Sequence, residues 1–472
     1  MKKIVLLLSL SLFMLALAAC GGAPAEEAGD AVNNGGTNNP TADGSGTRSI
    51  VVTTHQTNLI LGEERLDDDG NTHRDPDFAF LAHLAEVFTA ETGIEVILET
   101  AHTADQLRSL LMVGDSSFDV ISNGHELNIT EMQQWLYPVM TLDEAIEIYG
   151  EGNARAMFGA EGAVFGVATG MAYSFGVSYN RAVIQAAGFD EIPGNLEEFN
   201  QLLQNIQDLG ITPISLHRIE NWPMGTIGDV AEHIYGRRDV RERALLLDDP
   251  FSPSQPLGQA LQLYTGWKSA GFFEQEMYPN FGAAMDSVPH GAAGMMLFGS
   301  WVTPQLIGRI PADTPLDVIQ FDAGPDFGAG RVIPAAPMHE WFINGASENV
   351  EYGRMFIDFI ARSPEYLSKV GVIATHRDVE PVIPEIFQIV DRRIRDGEVR
   401  VMYAPPRDEN FMHWESVMRE ANLLADDRWA GLPFDTYDVT RPGEWDAFYD
   451  QLTRQNADFA WARDDLGVTF IE

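Results

Sequence analysis

The chain has 472 residues and a formal net charge of -40 at pH 7, because 70 aspartates and glutamates outnumber 30 lysines and arginines. So acidic a surface repels nucleic acid and anionic lipid and gives no support to a polyanionic ligand. The length allows one very large core or two cores of ordinary size. Cys20 is the single cysteine, which excludes disulfides within the chain, so packing must stabilise the fold.

The first twenty residues have the features of a lipoprotein export signal. Lys2 and Lys3 precede an apolar run over residues 4–19 that is short for a transmembrane helix and typical of a signal peptide. The run ends in Leu17-Ala18-Ala19-Cys20, which resembles a lipobox. We expect residues 1–19 to be removed and a lipid on Cys20 to anchor the protein on the extracytoplasmic side of the cell membrane. An ordinary secretory signal with an incidental cysteine is the alternative.

Residues 20–48 have the composition of a flexible tether. Gly, Ala, Asn, Thr, Pro and Ser dominate, and apolar periodicity is absent from the sequence there. Such a segment cannot bury enough surface to fold. After a lipidated cysteine, it would hold a globular domain away from the membrane.

From residue 49 onwards, strand and helix patterns alternate. Apolar runs and alternations predict strands at 50–54, 94–98, 118–121, 164–167, 174–179 and 211–216. Helical spacing predicts helices over 80–88, 107–111 and 196–206. Gly93, Gly114 and Gly210 are expected to end these helices, and Asn195 with Glu198 resembles a capping box. This rhythm predicts an α/β fold, and the lack of a short-period repeat argues against solenoids and propellers.

Five segments in this order carry a resemblance to a known family. They are FTAETGIEV at 88–96, FGVATGMAYSFGVSYNRAVIQAAG at 165–188, residues 195–216 with their GITPI strand, GAAGMMLFGSW at 291–301, and residues 342–360. Together they resemble the family 1 extracellular solute-binding proteins, the sugar-binding group related to maltose-binding protein. The stretch after Arg377 matches nothing in that pattern.

The resemblance implies two α/β lobes of the periplasmic-binding-protein fold, type II-like, joined by three hinge crossings around a ligand cleft. Such lobes close on their ligand by hinge motion. We place the crossings near Thr169, Pro325 and Arg362. The expected bounds are 49–168 and 326–362 for the first lobe, and 169–325 and 363–472 for the second.

A sugar site needs an aromatic plate and a few fixed hydrogen-bonding groups. The resemblance places Trp301, with Ser300 before it, and Trp222 on the second lobe, facing the cleft. Trp341 and Glu340 precede a strand expected to return to the first lobe, where they could line the hinge side of the cleft. Each tryptophan has an alternative as a packed aromatic.

Strand-end loops supply further candidates. His55 and Thr57 follow the first predicted strand, and Asn123 follows the third. In open α/β sheets, ligands bind at the carboxyl ends of strands, so these side chains are candidates for ligand hydroxyls. Turn formation is the alternative, since Ser-Asn-Gly makes a good turn by itself. Tyr173, at the first expected crossing, could face the ligand or brace the hinge.

The sequence therefore predicts a non-enzymatic, lipid-anchored binding protein of an ABC importer. It would capture a sugar or oligosaccharide and deliver it to the transmembrane permease subunits, as a monomer without cofactor, metal or nucleic acid. No P-loop, dinucleotide fingerprint, HExxH or GxSxG motif occurs in the sequence. A binding protein for another solute is the nearest alternative. A secreted glycoside-acting lipoprotein is another, because carboxylate pairs abound in so acidic a chain.

Overall fold

A computed structural model defines the architecture of most of the chain after the predicted tether. It describes residues 48–54, 58–66, 72–100, 104–122, 133–160, 162–216, 222–238, 240, 252–273, 281–311 and 313–404. These residues belong to one compact unit, Thr47–Glu472. The predicted signal peptide, Cys20 and nearly all of the tether lie outside the described residues.

The described strands are mostly short, and two long ones, β9 and β14, run through the centre of the fold. The strands are β1 Ser49–Thr54, β2 Glu63–Leu66, β3 Thr72–Asp75, β4 Glu95–Thr100, β5 Val120–Ser122, β6 Leu136–Tyr137, β7 Met140–Thr141, β8 Phe158–Ala160, β9 Ala163–Tyr173, β10 Gly176–Asn180, β11 Thr212–Ile214, β12 Ala293–Phe298, β13 Ile319–Asp322, β14 Val332–Asn344, β15 Ile373–Ala374 and β16 Arg400–Tyr403.

Helices separate most of these strands along the chain. They are α1 Asn58–Leu61, α2 Phe80–Thr92, α3 Ala104–Met112, α4 Leu142–Tyr149, α5 Glu151–Arg155, α6 Arg181–Ala186, α7 Leu196–Asp208, α8 Trp222–Tyr235, α9 Pro256–Ser269, α10 Phe281–Ser287, α11 Thr303–Gly308, α12 Val350–Ala361, α13 Pro364–Lys369 and α14 Gln388–Arg395. Short 3-10 helices cover Pro76–Phe78, Gln133–Trp135, Ser300–Val302, Leu316–Val318 and Glu385–Phe387.

Local chemistry explains where several helices begin and end. Helix α2 stops at Gly93, whose φ of 68° is the left-handed conformation that glycine adopts most easily. The Asn195 side chain accepts a hydrogen bond from the Glu198 amide at 2.8 Å, which fixes the start of α7. A reciprocal capping box forms at α4 instead, between Thr141 and Glu144.

The first lobe is built on a sheet of ten described strands. Its central order is β15-β9-β14-β5-β1-β4, and β6, β7, β8 and β16 pair beside this path. Strand β1 runs parallel to β4 and to β5, whereas β14 runs antiparallel to β5 and β9. The mixed sheet therefore brings the carboxyl ends of β1 and β5 to one edge, as expected of an α/β fold.

The second lobe is built on a sheet of four described strands in the order β11-β12-β10-β13. Strands β11 and β12 are parallel, and β10 is antiparallel to both of its neighbours. Its main core packs Phe199, Leu202 and Leu203 of α7 against Tyr179 and Met295 of the sheet. The apolar stripe predicted for this helix is thus its buried face.

The described chain passes between the two sheets at several places. Residues 174–175 link β9 to β10, and residues 323–331 link β13 to β14. After β15, the chain reaches the Glu385–Phe387 turn and α14, which contact β13 of the second lobe. Strand β16 then pairs with β14 and returns to the first sheet.

These passages can be compared with the crossings expected from the sequence. Pro325 lies within the second passage. Thr169 lies inside β9, and Arg362 is followed by α13 and by β15, which pairs with β9. The described strands therefore put the first and third passages further along the chain than Thr169 and Arg362. The domain bounds themselves stay predictions.

Candidate functional site

The carboxyl ends of β1 and β5 define one edge of the first lobe's sheet. Thr54 pairs with Ser122, and Ser122 pairs across the sheet with Trp341 of β14. Glu340 is therefore next to the point where both parallel strands end. The predicted loop residues His55, Thr57 and Asn123 come directly after these strands but lie outside the described residues.

Among the residues that the structure describes, two polar side chains at this edge each have a buried atom without a hydrogen-bond partner. Ser122 is 1% exposed and Glu340 is 4% exposed, and neither Ser122 Oγ nor Glu340 Oε2 forms a hydrogen bond. A buried carboxylate oxygen without a donor is costly, because it has lost water and gained nothing in exchange. Ser122 Oγ and Glu340 Oε2 are therefore acceptors that the described residues leave unsatisfied.

Trp301 lies at the junction of the two lobes. It belongs to the 3-10 helix Ser300–Val302, which follows β12 of the second lobe. Its partly buried indole packs against both the first-lobe core and a second-lobe core. A Cβ on Gly299 would overlap the indole ring, so this position needs glycine. The ring is thus fixed in place while part of its surface stays accessible.

Ser300 ties the two lobes together beside this tryptophan. Its Oγ accepts a hydrogen bond from the Tyr173 amide at 3.1 Å and donates one to the Gly371 carbonyl at 3.3 Å. Tyr173 ends β9, and Gly371 precedes β15, so both partners belong to the first lobe. Ser300 is fully buried, and its hydroxyl proton is already engaged. The geometry favours a role in holding Trp301 over direct contact with a ligand.

Tyr173 is part of an aromatic cluster between the lobes. Its ring stacks on Phe321 of β13 at 5.9 Å and meets Phe387 edge-on at 5.9 Å. Burial raises the pKa of the phenol well above its usual value, so the ring stays neutral. Of the two roles weighed for Tyr173, bracing the hinge is the one that this packing supports.

Trp341 is enclosed in the first-lobe core. It has no exposed surface, its Nε1 donates to His339 Nδ1 at 3.0 Å, and its ring meets Phe356 edge-on at 5.9 Å. In this arrangement the indole offers no face to a ligand, which fits the packing alternative. Trp222 is the first residue of α8, and its side chain lies outside the described residues.

A group of buried charges at the junction gave no signal in the sequence. Asp322, at the end of β13, lies 3.2 Å from Arg393 of α14 and 3.5 Å from Arg331 before β14. Arg393 also donates to Glu191 at 2.8 Å and to the Ile192 carbonyl at 3.2 Å. Asp322 and Arg331 lie at the two ends of the passage from β13 to β14, and Arg393 follows the passage from β15 to α14. Their ion pairs therefore help to hold these passages in place.

Within the described residues, no group of three or more His, Cys, Asp or Glu side chains is arranged to hold a metal ion. None of the helices in the described part of the chain is long and apolar enough to cross a membrane.

Comparison of the sequence with protein-family models and with curated proteins gives no match. Comparison of the fold with solved structures gives many. The mannobiose-bound ABC-transporter binding protein BlMnBP1 of Bifidobacterium animalis subsp. lactis matches with a TM-score of 0.67 and 18% identity, over 89% of this chain and 95% of that chain.

Two other structures extend the comparison. The raffinose-bound solute-binding protein RafE matches with a TM-score of 0.63 and 15% identity, over 88% of this chain and 100% of that chain. A probable secreted solute-binding lipoprotein from Streptomyces coelicolor matches with a TM-score of 0.56 and 15% identity, over 87% and 99%. This chain has the fold of solute-binding proteins. The predicted α/β, two-lobed fold is confirmed. Because the sequence identities are this low, the structural similarity shows the fold alone.

Proposed function

We propose that this protein is the extracytoplasmic, substrate-binding lipoprotein of an ABC importer. It captures a sugar or oligosaccharide between its two lobes and delivers it to the transmembrane permease subunits. The fold supports this proposal, and the ABC-transporter binding protein and RafE it matches are complexes with mannobiose and raffinose. The observation that carries it is the buried, unpartnered Glu340 carboxylate oxygen at the edge of the first sheet.

A sugar supplies the hydrogen-bond donors that the buried Glu340 carboxylate oxygen lacks at this edge. An ionised carboxylate can only accept hydrogen bonds, and sugar hydroxyls donate them. A bond of this kind to a charged acceptor is stronger than one between neutral groups. The indole of Trp301 supplies the complementary surface, since a flat apolar ring packs against the apolar face of a pyranose. We assign Glu340 as the acceptor and Trp301 as the plate.

Anchoring and closure complete the proposed function. A diacylglycerol on Cys20 would keep the binding domain near the permease, with residues 21–48 as the tether. Trp301 and Ser300 contact both lobes, so ligand bound beside them would favour the closed arrangement. We expect the radius of gyration of the mature protein to decrease in X-ray scattering when ligand is saturating. Unchanged scattering alongside proven binding would contradict closure.

A thermal-shift screen of the mature protein against neutral mono- and oligosaccharides tests the proposal. A ligand that binds only the folded state raises the melting temperature by mass action. We expect Glu340→Gln to lower the affinity of any sugar found, because one accepting carboxylate oxygen is replaced by an amide nitrogen that can only donate. Glu351→Gln is the matched control, since Glu351 lies on the first lobe with its side chain 77% exposed. Equal affinities of both variants would remove Glu340 from the site.

The alternative of a glycoside-acting protein is tested in the same samples. Each oligosaccharide is incubated with the protein, and released reducing ends are measured. Release that scales with protein concentration would show cleavage and overturn the non-enzymatic proposal. Stabilisation without release supports a binding protein. If no sugar of the panel raises the melting temperature and a solute of another class does, the protein is a binding protein for that solute, which is the nearest alternative.

A further inference from the structure

His339 has an unusual backbone conformation in the middle of β14. Its φ is 65°, and among the described residues it is the one non-glycine residue with a positive φ. This left-handed conformation costs a non-glycine residue free energy, and it persists only when the surroundings hold it. His339 stands directly before Glu340, the acceptor assigned above.

Buried contacts with Trp341, Thr169 and Tyr366 hold His339 in this conformation. Trp341 Nε1 donates to His339 Nδ1 at 3.0 Å, and Thr169 Oγ1 donates to the His339 carbonyl at 3.2 Å. Tyr366 Oη lies 3.2 Å from Nε2. Because Nδ1 accepts from an indole, the neutral ring carries its proton on Nε2 and donates it to Tyr366. Burial lowers the pKa of His339 to about 3, so the ring stays neutral.

The left-handed residue changes which way the following side chains point. In a regular strand, Met338 and Phe342 would face the same side, because side chains alternate with a period of two. Here Met338 packs with the main first-lobe core, whereas Phe342 packs in the smaller cluster around Leu107 and Leu111. The alternation is therefore reset between them. The pairing of β14 with β9 keeps the same register on both sides of His339, so the change comes from the backbone conformation at this residue and not from a β-bulge.

We propose that His339 is a positioning residue that directs the Glu340 carboxylate toward the ligand at the strand-end edge. The inference rests on the proposed function and deepens it, since it explains how a carboxylate comes to be buried there without a partner. His339 acts through Glu340 and contacts no ligand itself. A purely structural His339 would change stability and leave the carboxylate's contribution to affinity unaltered.

The test compares His339→Val with His339→Gly, each alone and combined with Glu340→Gln. Valine resists a positive φ, whereas glycine adopts it freely. Both variants lose the imidazole contacts, so they differ mainly in backbone preference. Affinity for the best sugar of the panel is measured by calorimetric titration, and denaturant melts report stability separately.

We expect His339→Val to bind at least about tenfold more weakly than His339→Gly. In the Glu340→Gln background, this difference should shrink to less than about threefold, because residues that act through one another are not additive. If His339→Val does not fold, Trp341→Phe replaces it, since phenylalanine keeps an aromatic ring but removes the donor to Nδ1. Its loss of affinity should likewise shrink in the Glu340→Gln background.

Two outcomes would overturn the inference while leaving the proposed function intact. One is sugar binding by the wild type with equal affinities for the valine and glycine variants. The other is a loss of affinity that is undiminished when Glu340 is already glutamine. Failure of the wild type to bind any sugar overturns the proposed function, and with it the inference.

Discussion

Replacing Arg393 with methionine would leave Asp322 buried with one guanidinium instead of two. Asp322 has no exposed surface, and its carboxylate lies 3.2 Å from Arg393 and 3.5 Å from Arg331. Methionine keeps much of the apolar stem, so the change removes charge and hydrogen bonds more than volume. Removing one partner of a buried pair costs about 3–5 kcal/mol; here Asp322 keeps only the longer contact with Arg331, and Glu191 and the Ile192 carbonyl lose their donor as well. We expect the free energy of unfolding to fall by that amount at pH 8.

The loss should depend on pH. Burial is the main cause that raises the pKa of Asp322 to about 7 in the folded protein, while nearby Arg393 lowers it. The folded state therefore holds this proton more tightly than the unfolded chain, and the stability contributed by Asp322 falls as pH rises from about 4 to about 7. At pH 5 the carboxyl is neutral with or without Arg393. The variant should then lose less stability at pH 5 than at pH 8.

Urea melts of the wild type and two variants at both pH values provide the assay. Arg392→Met is the matched control, because Arg392 also pairs with Glu191 but has a side chain 48% exposed. An exposed pair contributes about 0–1 kcal/mol, so the control should change little at either pH. Equal losses for the two variants would refute the reasoning. So would a loss for Arg393→Met that is larger at pH 5 than at pH 8.

Three further predictions concern single residues. Trp301→Ala should weaken sugar binding by at least about tenfold in a folded protein, as measured by calorimetric titration. Trp341→Ala should instead lower the free energy of unfolding by about 3–5 kcal/mol, as measured by denaturant melts. Ser300→Ala leaves the Tyr173 amide without an acceptor and should cost about 1–3 kcal/mol in the same melts, which wild-type stability would contradict. Cys20→Ser should abolish membrane retention in cell fractionation, and an unacylated Cys20 in the membrane fraction of the wild type, shown by mass spectrometry, would disprove the anchor.

The local elements were predictable because their signals are local. Apolar spacing predicted the helix at 80–88, and the structure has α2 Phe80–Thr92, ended by Gly93 as expected. The predicted strands at 50–54 and 118–121 correspond to β1 and β5, with small shifts at their ends. Periodicity and glycine stops depend on neighbours in the sequence, so a single chain is enough to show them.

The burial of the tryptophans was not predictable in the same way. Trp301 and Trp341 both follow a polar residue, Ser300 and Glu340. The structure leaves Trp301 partly exposed between two cores and encloses Trp341 completely. The difference comes from partners such as Phe356 and His339 that pack on Trp341. Only tertiary packing decides whether a tryptophan is a core residue or a ligand plate.

The ion pairs at the junction were equally hidden. Asp322 is one of 70 acidic residues, and nothing near it in the sequence indicates that Arg393 will reach it. The left-handed conformation of His339 could not be predicted either, because a positive φ is uncommon for any residue other than glycine and depends here on buried contacts with distant residues. Both features depend on contacts between segments that are far apart in the chain.

The buried polar groups described above fall into two kinds, those with partners within the protein and those without. Ser300 is buried with hydrogen-bond partners from the first lobe, and the buried Asp322 carboxylate is compensated by ion pairs with Arg393 and Arg331. Glu340 Oε2 and Ser122 Oγ are equally buried but have no partner. Among the described residues, Asp322 has two guanidinium groups near its carboxylate, whereas Glu340 at the sheet edge has neither an ion pair nor a hydrogen bond to Oε2. Groups that break a structural rule in this way are where binding sites are expected, because a ligand supplies the missing donor.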